Sequence, residues 1–174
     1  MPFFPGFNCR MSEISGALLL VQLGRRGGMI ERMRAAVAEI GSTVGRFPNV
    51  MPRRMNDKNG DIGICYMFTA RDRETAVDIA RALRAEGVDA GTMGGHEVPD
   101  WHIYFHWDHI LARRGNNDSG FPFSLSGVEY SPDMCPRTAD LLRRVVHLGV
   151  SPLYSGEDIA EISFALEKVL GIMA

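Results

Sequence analysis

The sequence predicts an α/β fold with a long helical arm at its N-terminal end. Three observations lead there. Apolar residues recur at helical spacing through residues 14–40. A strand-like run, a helix-like run and a second short strand follow one another in residues 61–91. A capped apolar helix closes the chain after a short extended segment at 147–150. The 174 residues suit one domain, or one domain with an arm, and a globule of that size buries roughly 70% of the surface its unfolded chain exposes.

Ser12 is placed to cap the first helix, with Glu13 in the first turn, where negative charge suits the helix dipole. Ile14, Leu18 and Val21, then Met29, Ile30, Met33, Val37 and Ile40, form its stripe. Arg25-Arg26-Gly27-Gly28 interrupts it. Each interior glycine costs about 1 kcal/mol against alanine, so a kink or break is expected there, with a second helix ending near Gly41. Pro48, Pro52 and the turn-rich residues 56–60 predict a loop with a short edge strand.

Residues 61–69 (DIGICYMFT) read as a buried strand. Residues 72–86 place Ala76, Ile79, Ala80 and Leu83 on one helical face, with Gly87 as the stop, and 88–91 supply another strand. Residues 94–136 are less regular and hold Trp101, Tyr104, Phe105, Trp107 and four of the five histidines. Residues 138–145 read as a helix, 147–150 as extended and Ser151-Pro152 as a stop. Ser155 then caps a last helix whose stripe is Ile159, Ile162, Leu166, Val169 and Leu170.

Composition narrows the function classes. The chain is 45% hydrophobic and 23% charged, with a net charge of −2, so nothing favours nucleic acid or an anionic membrane as partner. Of 19 basic residues only Lys58 and Lys168 are lysines, leaving 17 arginines. Cys9, Cys65 and Cys135 stand far apart with no CxxC, which predicts free thiols in a reducing cytoplasm, Cys65 being a small core residue of its strand. The opening MPFFPGF lacks the basic region of a signal peptide, and the longest apolar run, 17–21, is too short to span a bilayer.

His102, His106 and His109, spaced H-x3-H-x2-H, would share one side of a helix and suggest a metal site. Their aromatic and proline neighbours favour an extended or irregular segment, where that spacing loses its meaning. The reading preferred is an aromatic-lined pocket in which one or two histidines reach a polar ligand, with packing histidines as the plain alternative and no metal. Gly91, Gly94 and Gly95 make no dinucleotide fingerprint and read as a turn. No G-x-S-x-G occurs, and no cysteine sits in a local His motif, so a covalent hydrolase is not expected. Asn8 and Arg10 precede a helix N-terminus, whose free N–H groups suit a phosphate, while turn and solvated roles are the plain alternative.

The stretch GFNCRMSEISGALLLVQL resembles the pattern G-x-N-x-R-M-x-E-x-x-x-A-x-x-x-x-Q-L of the DegT/StrS family of sugar aminotransferases, through Gly6, Asn8, Arg10, Met11, Glu13, Ala17, Gln22 and Leu23. Cys135-Pro136, Leu141, Arg144-Val145 and the run LGVSPL at 148–153, before a capped final helix, resemble that family's C-terminal end. Cys9 departs from a usual aromatic, Ser151 and Tyr154 from a His-Pro type of ending, and the Trp-rich loop is unusual.

The resemblance implies the C-terminal half of a pyridoxal-phosphate enzyme of the aspartate aminotransferase fold (fold type I). Residues 1–45 would be a cofactor-facing loop with a long interrupted helix, and 46–174 the α/β small domain. The family's stacking aromatic, pyridine-pairing Asp and Schiff-base Lys lie in a large domain absent from this sequence, and neither Lys58 nor Lys168 matches that Lys. The chain would then be inactive alone and would need a Lys-bearing partner chain in a cytoplasmic oligomer. By the same resemblance Asn8 reaches the cofactor phosphate in the other subunit, Arg10 supports that loop or the substrate's anionic group, and His106 or His109 approaches the substrate. The implied reaction moves an amino group from glutamate or glutamine to a keto sugar or cyclitol. The rival reading is a non-catalytic binding or regulatory protein derived from the same small domain.

Overall fold

The computed structural model describes residues 11–93, 100–115 and 118–173. Helix α1 (Glu13–Val44) is one continuous helix of 32 residues. The Ser12 hydroxyl accepts the Ser15 N–H at 3.1 Å and caps it, as its sequence predicts. The expected break at 25–28 does not occur, and the helix ends at Val44 rather than near Gly41. Gly24 and Gly27 are exposed, and a Cβ at either would meet nothing within 4 Å. Two glycines cost about 2 kcal/mol against alanine, whereas a break would orphan N–H and C=O groups on both sides of it.

The sheet has four strands: β1 (Met51–Pro52), β2 (Cys65–Thr69), β3 (Ala90–Thr92) and β4 (Val145–Gly149), in the order β1-β2-β4-β3. Every neighbouring pair is antiparallel, so β2 and β3 run parallel with β4 between them. The strand–helix–strand unit of 61–91 is therefore a split one, with helix α2 (Arg73–Ala85) as its crossover. Val145, Val146 and Leu148 are all buried, which suits a central strand. Pro52, which cannot donate to a ladder, stands on the edge.

Strand register sorts side chains by face. Phe68 pairs with Val146 and Tyr66 with Leu148, all turned toward the helices. Met67 pairs with His147 and Thr69 with Val145 on the opposite face. The core joins Phe68, Val146 and Leu148 to Met33, Ala36, Ile40 and Val44 of α1, to Ala76, Ile79, Ala80 and Leu83 of α2, and to Ala165, Leu166, Val169 and Leu170 of α5 (Gly156–Met173). Helix α5 packs against both α1 and α2.

Caps follow the sequence. Asp72 accepts the Thr75 N–H at 2.8 Å at the start of α2. At its end the Val88 and Gly87 N–H groups reach the Leu83 and Arg84 carbonyls, the pattern of a Schellman stop. Ser155 and Asp158 bond reciprocally at the start of α5, a capping box in which these bonds hold the Asp158 carboxyl below its usual pKa. Helix α3 (Asp108–Leu111) is one turn. Helix α4 (Pro136–Arg143) begins and ends two residues before the predicted span, because Pro136 suits the first helical turn and β-branched Val145 and Val146 join the sheet. No helix among the described residues is long and apolar enough to cross a membrane.

The aromatic segment and the second sheet face

The helices cover one face of the sheet. The other presents Cys65, Met67, Thr69, Val145, His147 and Gly91, in the register given above. Cys65 lies half-buried on that second face and outside the main core, which corrects its reading as a core residue. Burial raises its thiol pKa, so it carries no activated nucleophile. Cys135 is free and exposed.

The aromatic segment is irregular, as its composition predicts: a 3-10 turn at Tyr104–His106 leads through Trp107 into α3. Ile103 anchors it, with 5% of its surface exposed. The Tyr104 hydroxyl donates to the Pro132 carbonyl at 2.6 Å and accepts the Cys135 N–H at 3.2 Å, tying the segment to the start of α4. Phe105 packs edge-on against Tyr104 and lies under the Arg143 guanidinium, 5.7 Å from the ring centre. The Trp107 indole N–H donates to the Trp101 carbonyl at 2.6 Å.

The two histidines singled out in the sequence part company here. His106 is half-buried, its ring 4.6 Å from Phe105, and its Nε2 is buried with no hydrogen-bond partner. His109 is exposed on α3. Asn8 and Arg10, the sequence's cofactor candidates, lie outside the described residues. Among the described residues no group of three or more His, Cys, Asp or Glu is placed to hold a metal ion.

Two groups escape sequence reasoning. Asp100 Oδ1 accepts both the His102 N–H at 2.9 Å and its ring Nδ1–H at 2.7 Å. These bonds, with smaller help from the charges of His102 and His147, hold the Asp100 carboxyl below its usual pKa. His147 lies on the sheet face away from the helices, and its Nδ1 is buried without a partner. Period-two alternation through Val146, His147 and Leu148 is the signal that would have placed that imidazole opposite the core.

The described residues do not by themselves fit pyridoxal phosphate. Lys168 is paired with Glu86 at 2.8 Å, and Lys58 is exposed in the 56–60 turn. Neither amine is held in a cleft where it could bond a carbonyl cofactor.

A split, helix-backed sheet with a long leading helix defines the class: an α/β unit of the fold type I aminotransferase architecture. The chain belongs to the DegT/DnrJ/EryC1/StrS aminotransferase family, whose sequence model matches residues 2–101. Solved structures bear out the fold. A crystal structure of 3-amino-5-hydroxybenzoic acid synthase superposes with a TM-score of 0.66 at 18% identity, covering 97% of this chain and 41% of that one. DesV from S. venezuelae, solved with a ketimine intermediate, gives 0.66 at 17% identity, covering 96% and 38%. PseC from Helicobacter pylori, an aminotransferase of pseudoaminic acid biosynthesis, gives 0.62 at 17%, covering 95% and 39%. The chain thus spans about 40% of the length of these structures.

Proposed function

We propose that this chain is the C-terminal part of a pyridoxal-phosphate-dependent aminotransferase that moves an amino group from glutamate or glutamine to a keto sugar or cyclitol. Its large domain and Schiff-base Lys come from a separate chain or from an N-terminal part preceding these residues. Residues 1–45 act as cofactor-facing loop and arm, and 46–174 as the small domain. The assembly is a cytoplasmic oligomer, and the chain alone is inactive.

One observation carries this reading beyond family membership. Ile14, Leu18, Leu19, Leu20, Val21 and Leu23 are each more than half exposed, and they surround α1 rather than lining one side. A helix that is apolar all round belongs inside a larger structure. The rest of an enzyme of which this chain spans about 40% is of a size to enclose it.

Asn8 is proposed to reach the cofactor phosphate across the subunit boundary and Arg10 to brace that loop. His106 is the better supported of the two substrate contacts, because its buried Nε2 lacks a partner and a ligand hydroxyl would supply one. His109, exposed on α3, is the second. The chain's part is to bind and orient the substrate and to exclude water from it.

Co-expression with a Lys-bearing large-domain chain tests this. The expected result is a co-purified complex showing the cofactor's visible absorbance and glutamate- or glutamine-dependent transamination. Asn8→Ala should lower cofactor retention. A colourless, stable monomer that captures no such partner would instead favour the binding-protein reading.

A further inference from the structure

We propose that Arg143 is a positioning residue for His106, acting through Phe105: its guanidinium seats the Phe105 ring, and that ring sets how the imidazole turns. The proposal deepens the aminotransferase reading and rests on it for the role of His106 as a substrate contact.

The anchor is the sheet. Helix α4 runs straight into β4, and at their junction the Ala70 N–H, at the end of β2, donates to the Arg144 carbonyl at 2.9 Å. The Arg144 side chain ties back to Asp140 at 2.9 Å and reaches the Ala70 carbonyl at 3.4 Å. Arg143, one residue earlier, is therefore carried on a fixed backbone. Its side chain is used differently. It is half-buried and makes no hydrogen bond or ion pair among the described residues, and its guanidinium carbon lies 5.7 Å from the Phe105 ring centre. A partly desolvated cation with no acceptor is held by the negative face of an aromatic ring.

The aromatic turn grips α4 at both ends. Tyr104 accepts the N–H of Cys135, the residue before α4, at 3.2 Å, while Phe105 takes Arg143, the last residue of α4. Those ends are about 12 Å apart, so the turn that carries both aromatics cannot slide along the helix. Tyr104 meets Phe105 edge-on at 5.5 Å, and the His106 ring meets it at 4.6 Å with the planes tilted by 58°. Phe105 thus touches the tyrosine, the arginine and the histidine.

This seat turns His106 Nε2 inward, where it is closed off and unpaired. A ligand reaches that nitrogen only when the imidazole rotates against Phe105. Fixing Phe105 therefore sets how often His106 is open, and Arg143 is the group that fixes it from the sheet side. His109, exposed on α3, makes no such ring contact.

The test uses the full chain alone and two probes of each imidazole: long-range 1H–15N NMR, and the rate of carbethoxylation by diethyl pyrocarbonate read by mass spectrometry. In wild type, half-buried His106 should react more slowly than exposed His109. Arg143→Met keeps the reach of the side chain and removes the charge. It should shift the His106 resonances and speed its modification about 2–5-fold, the equivalent of one cation–π contact, with His109 unchanged. Arg143→Lys restores a cation and should return His106 to within about 2-fold of wild type. The urea midpoints of the two variants should agree, which separates positioning from a general loosening of the fold. Phe105→Leu should reproduce the Arg143→Met result at His106, and it decides if Arg143→Met fails to fold. His106 unchanged in Arg143→Met, or changed equally in Arg143→Lys, would overturn the proposal. Neither probe needs a partner chain, so the positioning and the co-purification succeed or fail separately.

Discussion

Gly63 lies against the backbone of Met33: a Cβ added to Gly63 would sit 3.0 Å from the Met33 carbonyl carbon and from the Arg34 nitrogen. Its φ of +77° is also in the left-handed region. This is where α1 meets the segment leading into β2, and Arg34 reinforces it by donating to the Asp61 carbonyl at 2.6 Å. Gly63→Ala therefore meets both a strained conformation and an unyielding neighbour. The expected loss is about 2–4 kcal/mol, read as a lower urea midpoint.

Asp61 gives the same junction a pH dependence. Its carboxylate accepts the Gly63 N–H at 2.7 Å and the Arg53 guanidinium at 2.5 Å, which together lower its pKa in the folded chain. A carboxyl lowered on folding stabilises the fold above its unfolded pKa of about 3.9, and that contribution is lost as pH falls through the folded value. Asp61→Asn should cost on the order of 1 kcal/mol at neutral pH after solvent screening, and the gap to wild type should close as the solution is acidified. Denaturation midpoints at several pH values check both parts.

The two ends of α1 should respond in opposite ways. Ile40 is fully buried, so Ile40→Ala should cost about 2–5 kcal/mol in the chain alone. Leu20 is 71% exposed, so Leu20→Asp should leave the chain's unfolding within about 0.5 kcal/mol of wild type. In co-expression the order reverses in kind: Leu20→Asp should abolish capture of the large-domain partner. Capture at wild-type level would show that the apolar turns of α1 are not the docking surface.

Continuity of α1 through its glycines is directly measurable. Gly27→Ala introduces a Cβ that meets nothing and gains about 1 kcal/mol of helix propensity. Hydrogen exchange at residues 22–30 should slow, and helicity by circular dichroism should rise. A helix broken at 25–28 would leave both unchanged.

What was legible in the chain was local. Stripes at helical spacing identified α2 with its Gly87 stop and α5 with its Ser155 cap, since Ala76, Ile79, Ala80 and Leu83, or Leu166, Val169 and Leu170, can be buried together only on one helical face. The resemblance of GFNCRMSEISGALLLVQL reached the family, because those residues are read in place without knowing the fold. The glycines of α1 were misread because propensity is counted residue by residue, whereas the hydrogen-bond ladder is kept or lost as a unit.

Pairing across the chain was decided only in three dimensions. Nothing local says that β4, from the C-terminal third, enters between β2 and β3. That insertion puts His147 across from Gly91 on the face away from the core, where its Nδ1 is buried without a partner. The same tertiary structure separates His106, half-buried beside Phe105, from exposed His109, which the sequence could not rank. The sequence by itself determined α2, α5, the Ser12 and Ser155 caps and the family, because periodicity, capping and motif residues act over a few neighbours. The tertiary structure alone decided which polar groups lose water without gaining a partner, because that depends on segments more than 40 residues apart in the chain packing over one another.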